Sequence, residues 1–215
     1  MNIKILMMII LLAPLYVLNA EDAKTSSVEI DESKKYEDIF FIGSTFAMLG
    51  NLSSVNTPDF VQLNLGYRFN TKQTIAVELK TWKYSWPIGI PFGSSWENPD
   101  EKYDNDGYVR EFGVTLVYQY FWYKNAFVSI DAMNGLQSYN ENGNFIQYGY
   151  ILFMTFRAGY QFKFFEDLFF IEPSVAFTYW PINTNIPSSF AQKESKWPNY
   201  FLFEPGFHFG FNFKI

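Results

Sequence analysis

Three residues of this sequence are of the types that form a hydrolase triad: Glu172, Ser174 and His208. A carboxylate, a serine and a histidine support nucleophilic catalysis when the histidine can hydrogen-bond to both partners. The same types also suit a structural role, because charged residues enclosed in one space stabilise each other by pairing. The elements that carry these residues decide between the two interpretations, since geometry comes before residue type.

A second candidate site is the run Asp104-Asn105-Asp106-Gly107, which has the composition of part of a calcium loop. Lys102 stands where that pattern requires an earlier ligand, and no Glu follows at the closing position. The segment from residue 85 to residue 107 is therefore interpreted as a solvated loop. Divalent-cation bridging to phosphate groups is the alternative, because carboxylates prefer hard cations.

The composition excludes several classes of protein and site. The chain has 215 residues, of which 48% are hydrophobic and 21% aromatic, yet its mean hydropathy is only −0.09. Such aromatic density excludes disorder, and the shortage of long apolar runs excludes a bundle of transmembrane helices. The absence of Cys excludes disulfides, thiol nucleophiles and lipoprotein anchors, and with a single His we predict no metal site and no cofactor.

The first 20 residues have the features of a secretory signal peptide. Lys4 precedes an apolar run from Ile5 to Val17, and Ala20 is a small residue at the expected cleavage site. A membrane-anchoring helix is the alternative, but the run is too short to span a bilayer. Removal leaves 15 basic and 22 acidic residues, a formal charge of −7, which argues against nucleic acid as a partner. Residues 21–35 are predicted to form a flexible polar leader.

From residue 36 to the end, apolar residues alternate with small, polar or charged ones. In the last segment the odd positions from Phe201 to Phe213 are almost all Phe, while the even positions include Glu204 and His208. A period of two is typical of strands with two different faces. The pattern predicts eight strands, near residues 36–48, 59–70, 73–84, 108–121, 125–137, 147–163, 167–180 and 199–214.

The predicted connections alternate in length. Those after strands two, four and six are tight turns, whereas those after strands one, three, five and seven run about 9 to 25 residues. Short turns at one rim and long loops at the other are typical of membrane barrels. We therefore predict one all-β domain over residues 36–215, a transmembrane up-and-down antiparallel β-barrel of eight strands.

A soluble barrel of the lipocalin type is the alternative, with its polar face outside and its apolar face inside. The many Phe and Tyr rings do not fit inside an eight-stranded barrel, whose interior is just wide enough for ordinary side chains. We therefore expect the rings to face lipid and the charged residues to form a polar network in the lumen. Its predicted members are Arg68, Glu78, Lys80, Glu111, Asp131, Arg157, Glu172, Glu204 and His208.

Part of this network is predicted to form one layer about five residues above the tight-turn rim. In that layer we expect Glu172 to lie beside His208 and to be shared with Arg157. Ser174 faces the same lumen, so the triad remains the alternative, but it would point into a filled interior near the rim opposite the long loops. No catalytic residue is predicted.

The loop from Pro181 to Pro198 is flanked by Trp180 and contains Phe190 and Trp197. These aromatic residues suit a contact surface, a cover over the barrel mouth, or the aromatic girdle at the membrane interface. The sequence leaves the three alternatives open.

The architecture over residues 36–215 resembles the small outer-membrane β-barrel proteins of Gram-negative bacteria, of the eight-stranded OmpA, OmpX and OmpW kind. The most specific element is the C-terminus, where His208, Gly210, Phe213 and Ile215 match the signal by which barrel-assembly machinery recognises a last strand. Ile215 departs from the family pattern, which usually ends in Phe. The resemblance implies the bacterial outer membrane as location, with outer-membrane lipid, lipopolysaccharide and the assembly machinery as partners.

The family includes anchors, adhesins, small-solute pores and lipid A modifying enzymes, so architecture alone does not choose among them. The function we expect is that of a non-enzymatic barrel with a plugged polar lumen and long extracellular loops, serving envelope integrity or surface interaction. The alternatives are a conduit for small or apolar solutes, similar to OmpW, and a lipid A modifying enzyme.

Overall fold

The computed structural model describes residues 39–52, 57–85, 107–194 and 198–214, all of which belong to the unit Tyr36–Ile215. The predicted signal peptide and leader lie outside the described residues. So do most of the acidic loop, Trp197 and Ile215.

The described residues form nine strands, one 3-10 helix and one α-helix. They are β1 (Ile39–Thr45), the 3-10 helix (Phe46–Leu52), β2 (Val61–Arg68), β3 (Gln73–Ser85), β4 (Gly107–Tyr123), β5 (Ala126–Glu141), β6 (Asn144–Tyr160), β7 (Phe162–Phe164), β8 (Phe169–Thr184), α1 (Ser188–Glu194) and β9 (Tyr200–Lys214). No helix among the described residues is long and apolar enough to span a bilayer.

The strands form a closed antiparallel barrel. Each strand from β1 to β6 pairs with the next, β9 pairs with β1 and β8, and β8 pairs with β6 to complete the ring. The three residues of β7 continue β6 beyond Gln161 and pair with the start of β8. The wall is therefore closed through eight strands, and the predicted up-and-down barrel is confirmed.

The two faces of the wall are inverted relative to a water-soluble protein. On β4 the side chain of Thr115 is 0% exposed, whereas its neighbour Leu116 is 62% exposed. The same inversion recurs on β3, where Glu78 is buried and both Val77 and Leu79 are exposed. An apolar exterior around a polar interior is the arrangement of a transmembrane barrel and the opposite of a lipocalin.

The tight turns lie where the alternation predicts them, but the connection after β5 differs from the prediction of a long loop. Strands β5 and β6 extend to Glu141 and Asn144 and are joined by Asn142-Gly143 alone. Both turn residues have positive φ, 51° and 75°. Two positive φ values define a type I′ turn, whose right-handed twist matches the strands and for which Asn-Gly is the preferred sequence.

The period of two also breaks in β9. Phe203 has a positive φ of 63°, and the register with β8 shifts between the pairs Ala176–Glu204 and Thr178–Phe201. One additional residue on one strand turns the following side chain to the opposite face. Phe201 therefore points inward, although the alternation predicts an outward position.

Candidate functional site: the barrel lumen

The interior of the barrel is filled by three layers of side chains. The middle polar layer contains most of the predicted network. Toward the tight turns lies an aromatic layer, and toward the loops lies an apolar layer. The turn-side aromatic layer consists of Phe41, Phe121, Phe127 and Phe170. The loop-side apolar layer consists of Val109, Met133, Tyr139, Ile151, Trp180 and Phe190, with Tyr84, Phe153, Ile186 and Phe201 packed against it.

The central contact of the middle polar layer is the ion pair between Arg157 and Asp131. The Nε of Arg157 lies 2.6 Å from Oδ2 of Asp131, and both side chains are nearly buried. Ser129 donates a hydrogen bond of 2.9 Å to the other carboxylate oxygen. The three residues come from β5 and β6, where Ser129 lies directly opposite Arg157. A buried pair with this geometry stabilises the fold only while both partners are present.

Two further contacts of the middle layer lie within the neighbouring strands β2 and β3. Lys80 donates a hydrogen bond to Glu78 two residues away on the same face of β3, at 3.3 Å. On β2, Gln62 donates to Asn64 at 2.9 Å. These contacts satisfy polar groups that would be costly if left alone in an enclosed lumen.

The prediction that Glu172 bridges Arg157 and His208 is wrong about the hydrogen-bond partners of the Glu172 carboxylate. Glu172 lies directly opposite His208 on the β8–β9 ladder, as expected. Its carboxylate accepts hydrogen bonds from Gln119 at 3.0 Å and Gln161 at 2.8 Å instead. Gln161 lies between Gly159, opposite Ser174, and Phe162, opposite Ile171, so it is the cross-strand neighbour of Glu172. Gln119 on β4 reaches the carboxylate across the lumen, and Arg157 is held by Asp131 on the neighbouring strand.

Arg68 closes this part of the network toward the tight turns. Its Nη2 donates to Gln161 at 3.0 Å, and its guanidinium lies 4.8 Å from the centre of the Phe121 ring. Phe41 and Phe170 meet edge to face at 5.5 Å beside it. At Gly66 and Gly210 a Cβ atom would lie 2.0 Å from the Phe41 ring and 2.5 Å from the Phe170 ring. These glycines therefore leave the space that the aromatic layer fills.

The triad residues are neighbours, but the hydrogen bonds of a triad are absent from the described structure. Ser174 Oγ is buried without a hydrogen-bond partner, and no hydrogen bond joins His208 to Ser174 or Glu172 among the described contacts. His208 and Glu172 instead line a polar cavity of about 40 Å³ together with Asp131 and Arg157. A cavity of this size has room for a few water molecules.

Glu111 lies apart from the middle layer, whereas Glu204 lies in the same cross-strand row as Arg157, since both are opposite Ala176. Glu111 accepts a hydrogen bond from the Tyr84 hydroxyl at 3.0 Å, and Tyr84 in turn accepts one from Gln137 at 2.9 Å, so this chain belongs to the loop-side layer. Glu204 is exposed but accepts a hydrogen bond from the buried Thr178 at 2.8 Å.

The loop-side layer is covered by α1. Phe190 is only 4% exposed, and its ring meets Tyr139 edge to face at 5.1 Å. Below it Trp180 stacks on Phe153 at 5.5 Å. Of the three alternatives for this loop, the cover over the barrel mouth is thus the arrangement that Phe190 adopts. The sequence does not predict that Phe190 covers the mouth, because a single Phe in a polar loop does not indicate which way its side chain points.

The end of α1 is fixed to strand β8 of the barrel wall by a polar contact. Asn183 donates a hydrogen bond of 2.9 Å to Glu194. Partial burial raises the pKa of the Glu194 carboxyl, and the hydrogen bond from Asn183 opposes that rise.

The described residues of the predicted assembly signal lie on β9. His208 faces the lumen, Gly210 is buried and Phe213 is 50% exposed on the outer face.

Among the described residues no group of three or more His, Asp or Glu is arranged to hold a metal ion.

The chain is similar to one solved structure, the crystal structure of Neisserial surface protein A (NspA). The TM-score is 0.43 at 13% sequence identity, with 83% of this chain and 96% of that chain covered. No protein-family model matches the sequence, and no curated protein matches it. The functional conclusion therefore rests on the geometry of the lumen and the wall.

Proposed function

We propose that this protein is a non-enzymatic barrel of the bacterial outer membrane whose lumen is closed, and which serves envelope integrity or surface interaction through its loop rim. The observation that carries the proposal is the filling of the lumen at three successive levels. An eight-stranded barrel has little interior space, and here aromatic, charged and apolar side chains occupy it from one rim to the other.

The location is supported by the residues on the outer wall. Phe156 is 43% exposed, whereas its neighbour Thr155 is buried against Thr178. We expect a label attached at position 156 to report lipid and one at position 155 to report a shielded interior. Arg in place of Phe156 should cost about 2–4 kcal/mol of stability if the site lies near the bilayer midplane. Equal lipid exposure at the two positions would contradict this orientation of the wall.

Anionic lipid, such as lipopolysaccharide, is the membrane partner that the loop rim favours. Lys83 and Arg110 are directly opposite on β3 and β4, just beyond the exposed apolar residues of those strands. Like charges in such a pair destabilise a sheet, and the described acidic partner is Asp59, 3.3 Å from Arg110. Lys83 has no acidic partner among the described residues, and its Nζ lies 4.8 Å from the centre of the Tyr108 ring. A basic residue near an anionic surface contributes about 1 kcal/mol to membrane binding.

The partner proposal can be tested with Lys83→Gln in vesicles that contain or lack anionic lipid. We expect the substitution to weaken the preference for anionic vesicles, with Lys163→Gln near the opposite rim as the control. Equal effects of the two substitutions would contradict anionic lipid as a partner of the loop rim.

The barrel-assembly machinery is the second proposed partner, through the predicted assembly signal on β9.

A second candidate function, binding of a small apolar solute, is favoured by the apolar character of the loop-side layer. Such a solute would have to displace Phe190. A Phe190→Ala variant should then bind a small apolar fluorophore more tightly than the unmodified protein. No binding to either would count against this candidate.

The proposal is tested in cells that contain or lack the gene. We expect the protein in the outer-membrane fraction, an unchanged mass spectrum of lipid A, and greater sensitivity to detergents when the gene is deleted. Two results together would replace the proposal with the enzymatic alternative. The lipid A profile would change when the gene is deleted, and cells with the Ser174→Ala variant would have the same lipid A profile as the deletion.

A further inference from the structure

The strand wall has a gap on the loop side between β9 and β2. Strand β1 pairs with β9 from Lys214 back to His208 and then ends at Thr45. Among the described residues, the loop-side half of β9, from Tyr200 to Phe207, therefore has a partner strand on the β8 side alone. On the other flank, β1 stops pairing with β2 at Asn64, so within the described part of the chain the start of β2 pairs with β3 alone.

Both flanks of this gap carry outward apolar side chains, as the lipid-facing wall does. Phe207 on β9 is 43% exposed and Val61 on β2 is 51% exposed. An open strand edge is not tolerated in hydrocarbon, because its N–H and C=O groups have no water to bind. Pro205, within the edge, has no N–H to leave unsatisfied. The remaining edge needs a cover that is itself compatible with lipid.

The 3-10 helix lies at this gap and has an apolar stripe. Residues three apart are aligned in a 3-10 helix, so Phe46, Leu49 and Leu52 share one side, and all three are exposed. The ring of Phe46 contacts two outward rings of β9, Phe207 at 5.1 Å and Phe209 at 4.8 Å. The stripe thus continues the lipid-facing surface of the barrel.

Side chains tie the helix to both flanks of the gap. The hydroxyl of Thr45 donates to the carbonyl of Phe207 at 3.1 Å and accepts from the backbone N–H of Ala47 at 3.2 Å. Asn51 exchanges two hydrogen bonds with the backbone of Phe60, at 2.8 and 2.7 Å. Thr45 therefore satisfies a carbonyl on the edge of β9 and also caps the helix.

We propose that the 3-10 helix is a membrane-embedded part of the barrel wall, with Phe46, Leu49 and Leu52 in contact with lipid acyl chains on the loop side of the bilayer. The 3-10 helix is then a lipid-binding surface that completes the wall. This inference rests on the proposed membrane location.

The absence of Cys from the chain makes the test direct. Single cysteines at Leu49, Ala47, Phe156 and Asn142 would each carry an environment-sensitive fluorophore, in protein reconstituted into phosphatidylcholine vesicles with nitroxides on the acyl chains. Ala47 is exposed but lies off the stripe, and Asn142 lies in the hairpin turn beyond the wall. Heat-modifiable gel migration, expected of a closed barrel, would verify that each variant is folded.

We expect the acyl-chain nitroxides to quench the label at position 49 at least twofold more than the labels at positions 47 and 142, and to an extent close to that at position 156. Quenching at position 156 without quenching at position 49 would overturn the inference and leave the membrane barrel intact. Absence of quenching at both positions would overturn the proposed membrane location itself.

Discussion

The middle polar layer and the loop-side apolar layer fill the same lumen in different ways. In the middle layer, Arg157, Asp131 and Glu172 come from wall strands, and every wall strand is held by two neighbours. In the loop-side layer, the cover residue Phe190 comes from a seven-residue helix that lies outside the strand ladder. The named residues of the middle layer all belong to the wall, whereas the cover of the loop-side layer belongs to a loop.

The middle layer is therefore expected to contribute to the stability of the whole barrel, and the cover residue to the local stability of α1. Removal of a paired charge from the middle layer destabilises the whole barrel, because the remaining charge stays buried whenever the wall is closed. Removal of a contact under α1 affects the opening of α1 first, since a short helix can leave without breaking any strand pairing. The comparison predicts where each substitution will be detected.

The largest effect is expected from Asp131→Ala. It leaves the guanidinium of Arg157 without its partner in a nearly closed interior, which should cost about 3–5 kcal/mol in the free energy of unfolding. Urea titration of the barrel in micelles measures this. Ser129→Ala is the control, because it removes one hydrogen bond to the same carboxylate and should cost about 0.5–1.5 kcal/mol. Equal losses would mean that the ion pair does not dominate the middle layer.

Phe190→Ala should act locally. A buried Phe contributes about 3–5 kcal/mol when it is part of a core, and here that contribution holds α1 over the mouth. We expect hydrogen exchange to show loss of protection in α1 with little change in the urea midpoint of the barrel. Ala191→Ser, at an exposed neighbour, should change neither. A large shift of the urea midpoint for Phe190→Ala would remove the distinction between the layers.

Two glycines on the inner face of the wall allow the tightness of packing on the loop side to be measured. A Cβ at Gly149 would lie 2.7 Å from the backbone oxygen of Thr184, which cannot move freely. A Cβ at Gly113 would lie 2.6 Å from the sulfur of Met133, a flexible side chain. Gly149→Ala should therefore destabilise the protein by about 1–3 kcal/mol and Gly113→Ala by less, as measured by the temperature of heat-modified migration. The reverse order would contradict the packing described for the loop side.

The smallest effect concerns pH and α1. The pKa of Glu194 is raised in the folded protein, so its contribution to the docking of α1 is complete below the unfolded pKa of about 4.3 and is lost as pH rises through the folded value. Hydrogen exchange in α1, corrected for intrinsic rates, should show slightly greater protection at low pH. Glu194→Gln should remove that dependence, and persistence of the dependence in this variant would show that another group is responsible.

The sequence was sufficient to predict the barrel because a period of two recurs in all eight predicted strands and identifies the charged face. It was not sufficient for the hairpin after β5, where the residues from Ser138 to Asn140 are all polar or aromatic and the apolar alternation fades. The turn signal Asn142-Gly143 is present in the sequence but lies within the long connection that the fading alternation predicts. The bulge at Phe203 depends on one additional residue, which periodicity does not reveal.

The charged residues of the lumen could be chosen from the sequence, but their partners could not. Neighbours within one strand or across one ladder follow from register, as for Ser129 and Arg157. Contacts across the lumen, such as Gln119 with Glu172, depend on barrel curvature and on side-chain length. The role of Phe190 depends on the path of a loop, for which no pattern exists.

The central claim is that the lumen is closed at three levels, and planar-bilayer recording of the purified protein tests it most directly. The account predicts no stable single-channel steps for the unmodified protein or for Phe190→Ala, because the middle polar layer and the turn-side aromatic layer remain in place when the cover is removed. Reproducible single-channel steps from the unmodified protein would contradict the closed lumen.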